Sequence, residues 1–391
     1  MDNKDTHPKR IGILTMYYLS SNYGGLLQAF ALTKYLNDHG YDAKQITYDF
    51  YSDAENLTKS RTQKHFAKRL WIKRFAKIVI MKANEYLHGG VKLQVKKRNI
   101  CKQFRESIPH TDKVYLANEL QETLNDFDVF LVGSDQVWNP AGYHRGFFLK
   151  FVDGNQKIKM SYAASLSNEL PVEGIVKYRD ALKDYTIISV REKSDVKVIQ
   201  KLTDKSVRWV LDPVFLLTRD QWIEQCSGLY EKIEKPYIFC YFLGDSEKQR
   251  ELAAEYGKEH NLIVVTIPYM QMIYRHCDRN FGDIKLNEVS PNYFLDLIKN
   301  AEAIFTDSFH ATAFSIIFGK QFVVFGRLEH PEMAERIKNI TELFKCEERF
   351  CKDMNRNEYY LDKIITDDKN VEYRSEAFNE LLKHSEEVLR F

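Results

Sequence analysis

The chain has 391 residues, 44% hydrophobic and 29% charged, with a formal net charge of +2. That length suits two domains better than one, and no apolar run reaches the roughly 18 residues a membrane span needs. The six cysteines (Cys101, Cys226, Cys240, Cys277, Cys346, Cys351) form no C-x-x-C, which argues against a zinc site or redox pair and for reduced thiols in a cytoplasmic protein. The opening "MDNKDTHPKR" lacks the apolar core and cleavage site of a signal peptide.

Arg10 to Thr15, "RIGILT", reads as a strand. The loop "MYYLSSNYGG" follows, and then a helix from Leu26 to His39 with Leu26, Leu27, Phe30, Leu32 and Leu36 on its apolar face. "YDAKQITYDF" is a second strand, and this strand-helix-strand opening begins a doubly wound α/β domain. From Lys59 to Arg105 there are fifteen Lys or Arg and one acid, Glu85. Within that block, Arg69 to Val79 is amphipathic. Trp71, Ile72, Phe75, Ile78 and Val79 fall on one arc, and Arg69, Lys73, Arg74 and Lys77 on the other. Such a helix suits an anionic membrane surface, or else it packs its apolar arc on the domain and turns its charges to water.

After the block the α/β alternation resumes with "DVFLVGSDQVW", "KIKMSYAASL", "YTIISVREKSD" and "VRWVLDPVFLL". Gly133, Ser134, Asp135, Ser165, Arg191 and Asp212 all fall just after strand-like runs, which suggests one shared crevice. A second α/β unit begins at "KPYIFCYFLGD", with further strands in "NLIVVTIPY", "AEAIFTDS" and "KQFVVFGR". The chain ends in an amphipathic helix, "SEAFNELLKHSEEVLRF". The expected fold is α/β, with two Rossmann-like domains facing a central cleft. Residues 1–217 form the first, with a basic helical insertion at about 59–105, and residues 218–391 form the second.

Four stretches carry candidate chemistry. In "SNYGG", Asn22, Gly24 and Gly25 join the first strand to its helix. Paired glycines allow close backbone approach to a ligand at a helix N-terminus, although turn chemistry alone also accounts for them. The stretch is not G-x-G-x-x-G, so a dinucleotide fingerprint is absent. In "GSDQVWNP", Ser134, Asp135, Gln136, Trp138 and Asn139 offer donors, acceptors and a stacking ring, a mixture that suits a sugar. The alternative is an Asp cap with Trp138 in the core. In "SVREKSD", Arg191 can grip a phosphate or carboxylate with two prongs, or pair with Glu192 or another acid.

The fourth stretch, "TDSFHATAFSIIFGKQFVVF", puts Asp307, Ser308 and His310 at a turn between a strand and a helix. His310 can exchange protons near neutral pH, and the helix start offers free N–H groups to an anion. Arg327 and Lys320 can add positive charge. Here too a plain reading exists, in which Asp or Ser caps the helix and His310 is a buried core residue.

Taken in order, "NYGGLLQAFAL", "VGSDQVWNP", "SYAASL", "SVREKSD", "LDPVFLL" and "TDSFHATAFSIIF" resemble the polysaccharide pyruvyl transferase family over roughly residues 11 to 326. The resemblance implies a two-domain GT-B-like fold, with the N-terminal domain on the acceptor side and the C-terminal domain on the donor side. It implies transfer of the pyruvyl group of phosphoenolpyruvate onto two hydroxyls of one sugar, giving a cyclic ketal for a bacterial capsule, exopolysaccharide or wall polymer. By that resemblance Arg191 and His310 belong to the donor site. The chemistry of the residues adds Ser308, Arg327 and Lys320 as donor-side candidates, Asn22, Gly24, Gly25, Ser134, Asp135, Gln136 and Trp138 as acceptor-side candidates, and His310 and Asp135 as the candidate catalytic pair. Other members carry Ser-Arg-Leu-His-Ala where this chain has Asp307-Ser308-Phe309-His310-Ala311. Either another cation, Arg327 or Lys320, replaces the arginine missing at Ser308, or the donor is held differently.

No cofactor, metal or nucleic acid is expected, only phosphoenolpyruvate as co-substrate and a sugar acceptor. A lipid-linked acceptor at the inner membrane face would give the helix at 69–79 an anionic surface to dock on. Two other readings compete. One is a GT-B-like glycosyltransferase with a nucleotide-sugar donor. The other is a non-catalytic protein that binds an acidic partner through the basic block.

Overall fold

The computed structural model describes residues 8–52, 90–226, 232–271, 273–327, 334–351, 361, 365, 371, 373 and 375–391. The amphipathic stretch at 69–79 lies outside these residues. The chain divides into two compact units. The first holds the described residues of 1–59, 104–217 and 379–391, and the second those of 60–103 and 218–378.

The first unit is built on parallel strands β1 (Arg10–Leu14), β2 (Asp42–Gln45), β3 (Val129–Val132) and β4 (Ile158–Ser161), in the order β2-β1-β3-β4. The parallel pair β5 (Ile188–Val190) and β6 (Val207–Trp209) continues from β4 through bridges Met160–Ile187 and Ala164–Val190. Every residue of β3, "VFLV", is buried, as expected for a parallel strand covered on both faces. Helix α1 (Tyr23–Asp38) connects β1 to β2, and α2 (Gly90–Ser107) precedes β3. Helices α3 (Val172–Leu182) and α4 (Lys193–Gln200) flank β5. The strand order reverses between β1 and β3, so the loops after these two strands border a topological switch point.

The second unit holds helices α5 (Arg219–Gln225), α6 (Glu247–Glu259), α7 (Pro291–Asn300), α8 (Phe309–Phe318) and α9 (Ala334–Leu343). Its sheet runs β11 (Ile284–Lys285), β8 (Ile263–Thr266), β7 (Tyr237–Tyr241), β12 (Ala303–Thr306), β13 (Gln321–Phe325), β14 (Phe350–Cys351), all parallel. A short antiparallel pair, β9 (Met270–Gln271) with β10 (Ile273–Tyr274), follows β8. Here the order reverses between β7 and β12. Strands β7 and β12 are buried along their whole length.

Two domain bounds differ from the sequence expectation. The last helix, α10 (Glu376–Val388), carries the chain back to the first unit rather than ending the second. There Leu211 N donates to Ser385 Oγ (2.9 Å) and Phe391 N to the Tyr41 hydroxyl (3.1 Å). Residues 90–103, expected as part of an insertion in the first domain, group with the second unit, where Lys96 pairs with Glu288. Among the described residues no helix is long and apolar enough to cross a membrane.

Candidate functional site

In the first unit the polar residues gather at the carboxyl ends of the strands. Leu19, Asp135, Ala163 and Ser167, in the loops after β1, β3 and β4, all have left-handed backbones (φ 53°, 73°, 54° and 62°). Each such non-glycine residue costs of order 1 kcal/mol or more and persists where the surroundings fix it. Strain shared by three neighbouring loops makes this end of the sheet a candidate site. Asn22 caps α1, its side chain accepting from Gly25 N. A Cβ on Gly25 would lie 3.4 Å from Asp135 Oδ2, so glycine lets the carboxylate come close to the helix start. Asp135 is mostly buried, its side chain 13% exposed.

Arg191 sits beside it. Its Nη1 donates to Asp212 Oδ2 (2.7 Å) and its Nε to Glu192 Oε1 (2.9 Å), while Nη2 stands 3.9 Å from Asp135 Oδ1. Burial opposes its charge, but Glu192, Asp212 and Asp135 outweigh burial and raise its pKa. Ser134 Oγ also donates to Asp212 (2.9 Å). Three carboxylates around one guanidinium leave two formal negative charges in excess. The expected donor grip of Arg191 thus meets a guanidinium already engaged by acids. Amides and hydroxyls stand in the same loops, and Asp195 accepts from Leu166 N (2.9 Å). Gln136 Oε1 accepts from Asn139 (3.2 Å), Asn168 donates to Asn139 (2.9 Å), and Ser165 bonds Ser167 (3.0 Å).

Trp138 does not offer a stacking face. It is fully buried, lies parallel to Phe148 at 5.7 Å and edge-on to Tyr185 at 5.8 Å, and donates Nε1–H to Phe147 O. The expectation of a sugar platform is corrected: this ring is core.

In the second unit the site again lies at the switch point. Both oxygens of Asp307 accept from the loop after β7, from Leu243 N and Gly244 N, each at 2.7 Å. Arg327 donates through Nε and Nη2 to Asp307 O (3.2 and 3.0 Å), with Nε 3.5 Å from Oδ1. Ser308 caps α8, accepting from Ala311 N. His310 lies in the first turn of that helix, 9% exposed.

Lys320 does not join this group. It stands just before β13, whose first residue pairs with Ala303, whereas Asp307 follows Thr306, which pairs with Val324. The parallel register therefore puts Lys320 about five residues away along the sheet, roughly 16 Å, beside Glu302 and Arg219.

Two residues that the sequence reading missed complete the second site. Arg275, just after β10, donates Nη1–H to Leu243 O (2.6 Å) and lies over the Tyr269 ring at 4.3 Å. The available signal was "YMQMIYR", a short apolar and aromatic run that ends in an arginine. Gln249 donates to Gly326 O (2.9 Å) and keeps a buried Oε1 without a partner among the described residues. Among the described residues no group of three or more His, Cys, Asp or Glu could hold a metal ion.

Two parallel-sheet units, each with its polar loops at a switch point, define a GT-B-like fold, and solved structures share it. A UDP-N-acetylglucosamine 2-epimerase matches with a TM-score of 0.55 at 11% identity over 98% of this chain and 96% of its own. The Methanocaldococcus jannaschii UDP-GlcNAc 2-epimerase (TM-score 0.52, 10% identity, 96% and 98%) and S. aureus MnaA with UDP (0.52, 13%, 97% and 97%) are alike in fold. No curated protein matches the sequence. The family model of polysaccharide pyruvyl transferase, however, matches residues 22–329. The chain belongs to the polysaccharide pyruvyl transferase family.

Proposed function

We propose that this protein transfers the pyruvyl group of phosphoenolpyruvate onto two hydroxyls of a sugar in a bacterial polysaccharide precursor. Beyond family membership, the observation that carries this reading is a contrast of charge. The strand ends of the first unit hold an excess of carboxylate among amides and hydroxyls. Those of the second unit bring the guanidiniums of Arg275 and Arg327 to the loops that Asp307 ties together. A hydroxyl-rich acceptor suits the first environment. A donor with a phosphate and a carboxylate suits the second.

The chemistry balances as follows. A proton adds to the methylene carbon of phosphoenolpyruvate, and a sugar hydroxyl adds to the adjacent carbon. The C–O bond to phosphate breaks, and a second hydroxyl closes the ketal. One hydroxyl proton replaces the one delivered to carbon, and the other leaves with phosphate. In this proposal His310 delivers the proton to carbon and Asp135 accepts one from the acceptor hydroxyl. The arginines bind the departing phosphate.

Phosphate release from phosphoenolpyruvate, measured across a panel of candidate sugars, tests the reading. Turnover with at least one sugar is expected, falling by about 10²–10⁴-fold in His310→Ala. Undiminished turnover in that variant would remove His310 from the chemistry. The alternative, a nucleotide-sugar glycosyltransferase, predicts the reverse in a thermal-shift screen: stabilisation by nucleotide sugars and none by phosphoenolpyruvate.

A further inference from the structure

We propose that Arg275, acting with Arg327, is the anion clamp of the donor site, supplying the charge that Ser308 does not carry. This rests on the donor reading above and names the residue that determines it.

Several cations of this unit are already committed. Arg250 is closed on itself: Nε and Nη2 donate to Asp278 Oδ1 (2.9 and 2.7 Å), and its other N–H groups go to Ser246 O and Gly244 O. Lys320 lies at the opposite end of the strands. Arg275 is different. It is half-buried, and its guanidinium makes one hydrogen bond, to Leu243 O, and no ion pair among the described residues. Most of its donor fork is therefore available, and stacking on Tyr269 fixes its plane in advance.

Position supports the same assignment. Leu243 ties the pieces together, because its carbonyl accepts from Arg275 while its N–H donates to Asp307. Arg327 holds Asp307 from the other side. The carboxylate of Asp307 already accepts two backbone N–H groups at 2.7 Å, so it is poorly placed to neutralise both arginines. Arg275 packs over the Tyr269 ring. Burial raises the pKa of its phenol, and Arg275 and Arg327 both oppose that rise. A ligand at this edge would meet the Arg275 N–H groups that bond nothing among the described residues, the Arg327 guanidinium beside Asp307, and the first turn of α8.

The test is phosphoenolpyruvate binding by calorimetry, with steady-state constants for both substrates. Arg275→Gln should weaken phosphoenolpyruvate binding at least tenfold, raise its KM and leave the acceptor KM unchanged. Arg275→Lys keeps the charge but not the fork or the stacking, and should fall between the two. Arg279→Gln, an exposed neighbour, should bind as the unaltered protein does. Melting curves show whether each variant is folded. If the unaltered protein binds phosphoenolpyruvate and Arg275→Gln binds it equally well, the clamp is wrong and the pyruvyl-transfer reading stands. If Arg275→Gln does not fold, Arg275→Lys decides, and unchanged affinity there overturns the clamp. If the unaltered protein binds no phosphoenolpyruvate, the donor reading falls and the clamp with it.

Discussion

In the sequence Trp138 stands three residues after Asp135 and reads as a sugar-stacking ring or as core. The two readings have the same local composition, and only the neighbours of the ring decide. Phe148 covers one face, Tyr185 meets its edge, and the indole N–H is satisfied by Phe147 O. Trp138→Ala should therefore cost about 3–5 kcal/mol of stability, read by urea unfolding. Trp138→Phe should cost much less and leave the acceptor KM unchanged. A raised KM in a stable Trp138→Phe variant would restore the stacking role. Asp307 and Ser308 were equally ambiguous, as caps or ligands. Ser308 caps α8, while Asp307 clamps the loop after β7 through two N–H bonds. Those N–H groups lie more than sixty residues away in the chain, so no local pattern could assign them.

At the scale of elements, the strands were legible because parallel strands are continuous apolar runs, such as "VFLV" and "YIFCY". The helices were legible from caps and periodicity. Helix α2 shows where that kind of reading stops. It lies in the basic block and most of its cations are exposed, yet Lys97 is buried, one turn before buried Cys101. Burial lowers the Lys97 pKa to about 8, with Cys101 partly opposing. The sign follows from linkage. The folded pKa is below that of the unfolded chain, so the unfolded state holds more protons between pH 8 and the ordinary lysine value of ~10.4. Stability therefore rises with pH across that window, and Lys97 costs stability below it. Lys97→Met should be more stable at pH 7 by about 3 kcal/mol, and its advantage should shrink toward pH 10. Denaturant unfolding at the two pH values checks this. A constant difference would mean that another group compensates the buried ammonium.

At the scale of the whole molecule, the return of the C-terminal helix makes the first unit discontinuous in sequence. Ser385, Val388 and Leu389 are all buried there. Each apolar side chain contributes roughly 1.5–3 kcal/mol, and Leu211 N would lose its acceptor as well. A chain ending at residue 378 should melt at a lower temperature, by calorimetry, with the first unit's transition displaced most. An unchanged first transition would show that the helix is dispensable.

Hydrophobic runs, turn chemistry and the order of the motifs are properties of neighbours in the chain. By itself the sequence was therefore enough for an α/β fold in two parts, for polar residues at the strand ends, and for the family. Burial and charge pairing are properties of neighbours in space. Tertiary structure decided that Trp138 is core, that Arg191 faces three acids, that Lys320 is at the wrong end of its strand, and that Leu243 and Asp307 link Arg275 to Arg327. The physical cause is strand order. Once β7 pairs with both β8 and β12, the loops after all three come together, and residues far apart in the sequence share one electrostatic environment.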